Sequence, residues 1–408
     1  MKKLLLCLAF ILTGCGGGGG GVAPPTPVPV QPKTVYSAPA VIPDSKMRLA
    51  KIDYRYDTPA GELDSNGNPT TSFASVKLIL DQIKEVGFNG VVIQIQTPIN
   101  PKTGTISFTD QYGTNKSLPK DLDKVIVYSK ELKLKVWLTM PIVDAGNDFR
   151  LVPNFNLYSA QALFDNIATF QKAIATSAEK NKVDGIFVSE GTCELHSQEH
   201  VQYWVHLINA VRSTFSGKIS YASYCGYDLP IWQYVDYITL FTGETLSNTP
   251  VTDLKSIVNL YYSTTNGTNL VSLIKSLSAK YNKKVILLSM PLAADSGVNA
   301  TPPTFFDMME TNVWGNSAYP NLSKYVSYDM QRLKIKALLE IVGRDMPDIV
   351  DGVLFDGYNP WLSNVEFSKP TNAVFLYYCC GSNLTFNDDT QKVINSYFSQ
   401  PWGYHTVK

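Results

Sequence analysis

The chain has 408 residues, with 35 basic and 35 acidic side chains and a formal net charge of zero at pH 7. That balance, with no basic block, excludes nucleic acid as a partner, because such binding depends on dense neutralisation of phosphates. Aromatics make up 12% of the chain, with 23 Tyr, which suits stacking on sugars and suits a large core equally well.

The amino terminus, MKKLLLCLAFILTGC, places two lysines before a short apolar run and then Leu-Thr-Gly-Cys, a lipobox. The apolar run is too short to span a bilayer and has signal-peptide flanks. Cleavage before Cys15 would leave a diacylated cysteine, the multi-chain anchor that one acyl group cannot supply. Gly16, rather than Asp, follows the cysteine and resembles outer-membrane sorting in Gram-negative bacteria. The expected location is therefore the cell envelope, facing the periplasm or the surface. Residues 16–45 are a glycine run followed by a proline-rich stretch, a disordered tether with a flexible half and an extended half. Residues 46–408 are expected to form one domain, an α/β fold of the (β/α)8 TIM-barrel class, behind that tether.

Apolar runs of strand length fall at 49–54, 89–96, 133–140, 184–189, 218–223, 235–241, 284–290 and 350–356. They alternate with segments of i, i+3, i+4 apolar spacing: SFASVKLILDQIKEVG, LPKDLDKVIVYSKEL, AQALFDNIATFQKAIATSAEKN and YDMQRLKIKALLEIVGRD. Strand and helix in alternation is the pattern of βαβ units, and eight strands close a barrel. Gly87 and the KNK turn before Val183 mark helix ends. Residues 293–322, rich in Asn, Pro and Ser, are expected as a long loop over the mouth, and 370–408 as a last helix and tail.

The fourth strand is followed by SEGTCELHSQEH and then QYWVHLINAVRSTFSGKISY, which reads as a carboxylate-bearing loop, a helix and a strand. Glu190 and Glu194 stand at and beyond the carboxyl end of that strand, the edge where barrel enzymes keep their catalytic groups. The Cys193-Glu194-Leu195 loop and its Tyr-Trp helix resemble the fourth-strand segment of glycoside hydrolase family 113, clan A barrels that include β-mannanases. DKVIVYSKELKLKVWLTMPIVDAGNDFR and LPIWQYVDYITL resemble that family's third- and sixth-strand segments. The resemblance implies hydrolysis of a β-linked, mannan-type glycan, with Glu194 as general acid/base and no cofactor.

Two departures from the family pattern stand out. Where a nucleophilic Glu is expected at the end of strand seven, KKVILLSMPLAAD offers Ser289 or Met290, neither a carboxylate. Where the family carries Pro-His-Val-Asp after strand three, this chain has Pro141, Ile142, Val143 and Asp144, so a sugar-contacting His is missing. Three readings follow. In the first, hydrolysis uses a relocated carboxylate: Asp356 in LFDGYNPW, Glu244 in LFTGETLS, or Asp295. In the second, the chain is a glycan-binding pseudoenzyme. In the third, His196, Glu199 and His200 spell H-x-x-E-H, which on a helix presents two zinc-binding histidines one turn apart.

Asp53, Arg55, Gln94, Gln96 and Asp144 lie at or near strand ends and are candidates, with Glu190, for hydrogen bonds to sugar hydroxyls; Asp53 and Arg55 equally suit a structural ion pair. Tyr358 and Trp361 are candidates for a sugar platform or for rim packing. In an oxidising compartment Cys193 and Cys225, at the ends of adjacent strands, are a candidate disulfide, which would leave Cys379 and Cys380 as a vicinal pair or reduced. The expected partners are an oligosaccharide or polysaccharide and the membrane reached through the lipid anchor, and the expected state is a monomer.

Overall fold

The computed structural model describes residues 34–53, 62–63, 69–70, 73–100, 103–108, 121–144, 150–151, 160–191, 198–224, 227–242, 251–264, 267–289, 328–358 and 388–408. The chain divides into two units, Met1–Val35 and Tyr36–Lys408, and all that follows concerns the second.

Eight strands close a barrel: β1 (Met47–Asp53), β2 (Gly90–Gln94), β3 (Lys135–Thr139), β4 (Gly185–Glu190), β5 (Lys218–Ser223), β6 (Tyr237–Phe241), β7 (Val285–Ser289) and β8 (Val350–Tyr358). Each pairs in parallel with its neighbours in sequence, and β1 pairs with β8 to complete the ring. All eight expected strands are present, with ends displaced by a few residues.

Helices α1 (Phe73–Val86), α2 (Leu122–Glu131), α3 (Ala160–Lys180), α4 (Val201–Arg212), α5 (Leu254–Leu260), α6 (Leu270–Tyr281), α7 (Tyr328–Asp345) and α8 (Asp388–Phe398) occupy the connections and the carboxyl end. The apolar periodicity locates α1, α2, α3 and α7. It did not single out α5 and α6, which share the link between β6 and β7. Their starts are nonetheless written locally: Asp253 and Asn269 each accept the backbone N–H three residues on, a side-chain cap for the open first turn. Gly87 ends α1 at φ +106°, which an L side chain rarely adopts. Lys182, in the KNK turn, also takes a left-handed φ, 53°. A three-stranded patch of Thr97–Ile99, Ile142–Asp144 and Arg150–Leu151 beyond the ends of β2 and β3 was not anticipated, nor was the pairing of Glu62–Leu63 with Pro69–Thr70.

Successive strand residues point to opposite faces, so a barrel wall sorts its apolar residues into two cores. Met47, Leu49, Val92, Trp137, Phe187, Ala222, Ile286, Leu288 and Leu354 pack together in the lumen. Their neighbours in sequence, including Ala50, Val91, Val136, Leu138, Ile186, Leu287, Val353 and Phe355, pack outward with the helices. Trp137 fills the lumen only because Gly185 lies opposite it on β4. A Cβ at Gly185 would stand 2.4 Å from the indole ring. Gly185→Ala is therefore expected to destabilise the domain by about 1–3 kcal/mol, the range for overpacking a filled core, read as a lower denaturation midpoint.

The end of the barrel opposite the mouth is held by the first and last segments of this unit. Lys46 donates to Pro347 O, Val350 O and Asp351, while Arg48 donates to the carbonyls of Phe398 and Gln400. Buried Glu340 on α7 accepts from Tyr397 at 2.6 Å and from Thr406 and Val407 of the tail, with backbone N–H bonds of 2.6 and 2.7 Å. Burial alone would raise its pKa, but these hydrogen bonds together hold it below the ordinary glutamate value. A depressed folded-state pKa stabilises at pH above the unfolded value and loses that contribution as pH falls. Wild type should thus lose stability below about pH 4, and Glu340→Gln should show a shallower acid slope in melts taken from pH 7 to 3.

Candidate active site

The lumen turns polar at the carboxyl ends of the strands. On β1 the inward series Met47, Leu49 continues to Lys51, a lysine with only 5% of its side chain exposed. Its ammonium lies 2.7 Å from Oε1 of Glu190 at the end of β4 and 3.1 Å from Oδ2 of Asp356 on β8. The second oxygen of Glu190 accepts from Thr139 Oγ1 of β3 at 3.3 Å. Tyr224, just past β5, is electrostatically coupled to Glu190, Lys51 and Asp356, and its ring packs on Phe241 at 4.9 Å between centroids.

One irregularity of register brings Glu190 in, and a second follows Asp356, which is already in step with the lumen residue Leu354. On β4, Phe187 pairs with Ser220 but Glu190 pairs with Ala222, so three steps on one strand match two on the other. Phe187 faces the lumen, and strict alternation would turn Glu190 toward the helices. The bulge reverses that and aims it at Lys51, the kind of re-aiming that bulges supply beside active sites. On β8, Lys51 pairs with Asp356 and Ile52 with Tyr358, so the strand slips one residue directly after Asp356.

Lys51 is charged although it is buried. Burial alone would lower the Lys51 pKa, but Asp356 and Glu190 outweigh it and hold the ammonium well above the ordinary lysine value. Burial pushes the Glu190 carboxyl up, against the pull of Lys51 and of the Thr139 hydrogen bond. Burial, reinforced by the Glu190 charge, raises Tyr224 well above an ordinary phenol, so it remains a neutral hydroxyl at physiological pH. The site thus gathers two carboxyl groups, a fixed positive charge and a phenolic hydroxyl at the edge of the barrel where chemistry is done.

Of the residues singled out in the sequence, the structure brings Glu190 and Asp356 together on one nitrogen. Gln94, on the inward series of β2, and Gln96 just beyond it are both buried. Asp53, Asp144 and Tyr358 have strand backbone, but their side chains lie outside the described part of the structure. Arg55, Cys15, Cys193, Glu194, Cys225, Glu244, Asp295, Trp361, Cys379, Cys380 and the segment 293–322 lie outside the described residues.

Two expectations change. Ser289 shares its face of β7 with Val285 and Leu287, which belong to the outer core, so it does not stand on the lumen face where a nucleophile would attack; Met290 lies outside the described residues. Of the H-x-x-E-H segment, Glu199 and His200 stand on a 3-10 turn, Gln198–His200, ahead of α4 at Val201, while His196 lies outside the described residues. Among the described residues no three His, Cys, Asp or Glu side chains are grouped as metal ligands.

Lys51, Thr139 and Tyr224 were not singled out. A signal for Lys51 existed in MRLAKID: a lysine in step with Met47 and Leu49 is committed to the lumen once those two are. Tyr224, by contrast, lies beyond the strand, where no periodicity applies.

The sequence model of Glycoside Hydrolase Family 113 matches residues 64–319. No curated protein matches the chain. Among solved structures, a GH113 β-1,4-mannanase in complex form is 17% identical, with a TM-score of 0.54 over 80% of this chain and 93% of its own. The GH113 β-mannanase of Alicyclobacillus acidocaldarius, in complex with ManMIm, is 14% identical, with a TM-score of 0.57 over 87% of this chain and 96% of its own. At such identities the likeness is one of fold, and it agrees with the closed eight-stranded barrel. The family match itself spans more than half of the sequence and includes the third- to seventh-strand segments, and on that ground the chain belongs to glycoside hydrolase family 113.

Proposed function

We propose that the chain is a glycoside hydrolase that cleaves β-linked glycans of the mannan type by two-carboxylate acid/base chemistry. The observation that carries this reading is the pairing of family membership with a buried carboxyl cluster at the carboxyl ends of β1, β4 and β8. The substrate class rests on the two relatives named above, both β-mannanases.

In this reading Glu194, four residues beyond Glu190, protonates the glycosidic oxygen as its bond to the anomeric carbon breaks. Asp356 is the partner carboxylate that meets the developing positive charge, either by direct attack or by taking the proton of an attacking water. Glu244 is the next candidate for that second role. Gln94, Gln96, Asp53, Arg55, Asp144, Tyr358 and Trp361 are assigned to holding the sugar. The lipobox leads us to place the protein at the cell envelope, tethered through Cys15 and working as a monomer on glycans that reach it.

The test is hydrolysis of β-1,4-linked manno-oligosaccharides by wild type and by Asp356→Asn. Loss of a general acid or base costs roughly 10²- to 10⁴-fold, so the variant should fall by at least about 100-fold in kcat while still binding the oligosaccharide. Equal turnover by the variant would remove Asp356 from the chemistry and move the search to Glu244.

A further inference from the structure

Lys51 departs from what stability alone requires. Replacing a buried ionic triad by apolar side chains of similar size is often neutral or stabilising, because desolvation offsets the attraction. The lumen directly beneath it shows that apolar packing works in this barrel, with Leu49, Trp137 and Phe187 filling the next layer. Yet above that layer Lys51 is ion-paired with Glu190 and Asp356. In the ring β1 adjoins β8, but β4 lies three strands away by the shorter path, so the contact with Glu190 crosses the lumen. Glu190 is anchored in turn by Thr139 of β3. The two carboxylate oxygens can be no further apart than the 2.7 and 3.1 Å contacts laid end to end.

We infer that Lys51 is the positioning residue of this site: it reaches across the lumen and fixes the aim of the Asp356 carboxylate by sharing one ammonium with Glu190, its counter-anchor. This role rests on the hydrolase reading, in which Asp356 meets the anomeric carbon. Lys51 is not itself a nucleophile, since both carboxylates keep its nitrogen protonated and without a free lone pair. Nor is it a contact for the departing sugar, with its side chain 5% exposed beneath Asp356, which is 13% exposed. Glu190 then belongs to the support of the site, rather than to the sugar contacts for which its sequence position qualified it.

The experiment compares full-length wild type, Lys51→Met and Lys51→Arg in turnover of manno-oligosaccharide across pH. It also follows the side-chain carboxyl 13C signal of Glu190 through a titration without substrate. Misplacing a reacting group by about 1 Å costs on the order of 100-fold, so kcat of Lys51→Met should fall about that far with KM little changed. Its acid limb should move to higher pH, and the Glu190 carboxyl midpoint should rise by about 1 to 3 pH units, as expected when a neighbouring opposite charge is removed. Lys51→Arg restores the charge without the single-point geometry, so it should recover the acid limb but only part of kcat. An unchanged kcat in Lys51→Met would overturn the inference, as would a loss of kcat with an unmoved acid limb. If Lys51→Met does not fold, Lys51→Arg decides, and full wild-type kcat in that variant would overturn it. Should wild type cleave no glycan, the hydrolase reading fails by itself. The 13C titration then judges Lys51 alone: a raised Glu190 midpoint in Lys51→Met sustains its hold on the cluster, and an unmoved midpoint refutes it.

Discussion

Glu194→Gln should lose turnover in a way that depends on the leaving group. The general acid matters because an alkoxide is a poor leaving group, and a sugar hydroxyl departs only as it is protonated. A nitrophenolate leaves without that help. Turnover of manno-oligosaccharide by the variant is expected to fall about 10³-fold or more, within the span typical of acid/base catalysis, whereas kcat/KM for a nitrophenyl β-mannoside should fall much less. Comparison of kcat/KM on the two substrates, which reads glycosidic bond cleavage in either mechanism, would check this. An equal loss on both substrates would mean that Glu194 acts otherwise than as the acid.

The second large effect is on stability. Trp137 is 1% exposed in the lumen, packed on Phe187 at 4.9 Å and on Tyr237 at 6.0 Å between ring centroids. Trp137→Ala should cost about 3–5 kcal/mol, the range for emptying an aromatic from a core. The indole Nε1 has no hydrogen-bond partner among the described residues, so its loss gives a little back and places the value toward the lower end. Guanidinium unfolding with an unchanged slope and a lower midpoint would confirm the effect as one on the folded barrel. The double variant with Gly185→Ala would test whether the two positions share one space. The added methyl should cost less when the ring it meets is gone, a non-additivity expected of residues in contact.

Strand existence was legible because parallel barrel strands are buried on both faces and read as short apolar runs; GVVIQ of β2 is buried throughout. Which residue faces the lumen was less legible. β1 carries Arg48 and Lys51 on opposite faces, and only the closed ring shows that the first reaches the bottom and the second the mouth. Glu190 illustrates the harder case. Alternation counted from Phe187 gives it the wrong face, and the bulge that corrects this is a property of strand pairing, invisible to any count along one strand. The same counting, applied to β7, removes Ser289 from the lumen, because no bulge intervenes between it and Leu287. Asp356 was legible for a simpler reason: it is in step with Leu354, which belongs to the lumen core.

The central claim, that this barrel hydrolyses a β-linked glycan, is tested most directly by mass spectrometry of products. Wild-type chain would be incubated with manno-, gluco- and xylo-oligosaccharides in 18O-labelled water. Hydrolysis predicts shorter oligosaccharides from the manno series, each new reducing end carrying one solvent oxygen, and no such products from Glu194→Gln within the same time. Intact oligosaccharides throughout, from a folded chain that still binds one of them, would contradict the account and leave a glycan-binding barrel in its place.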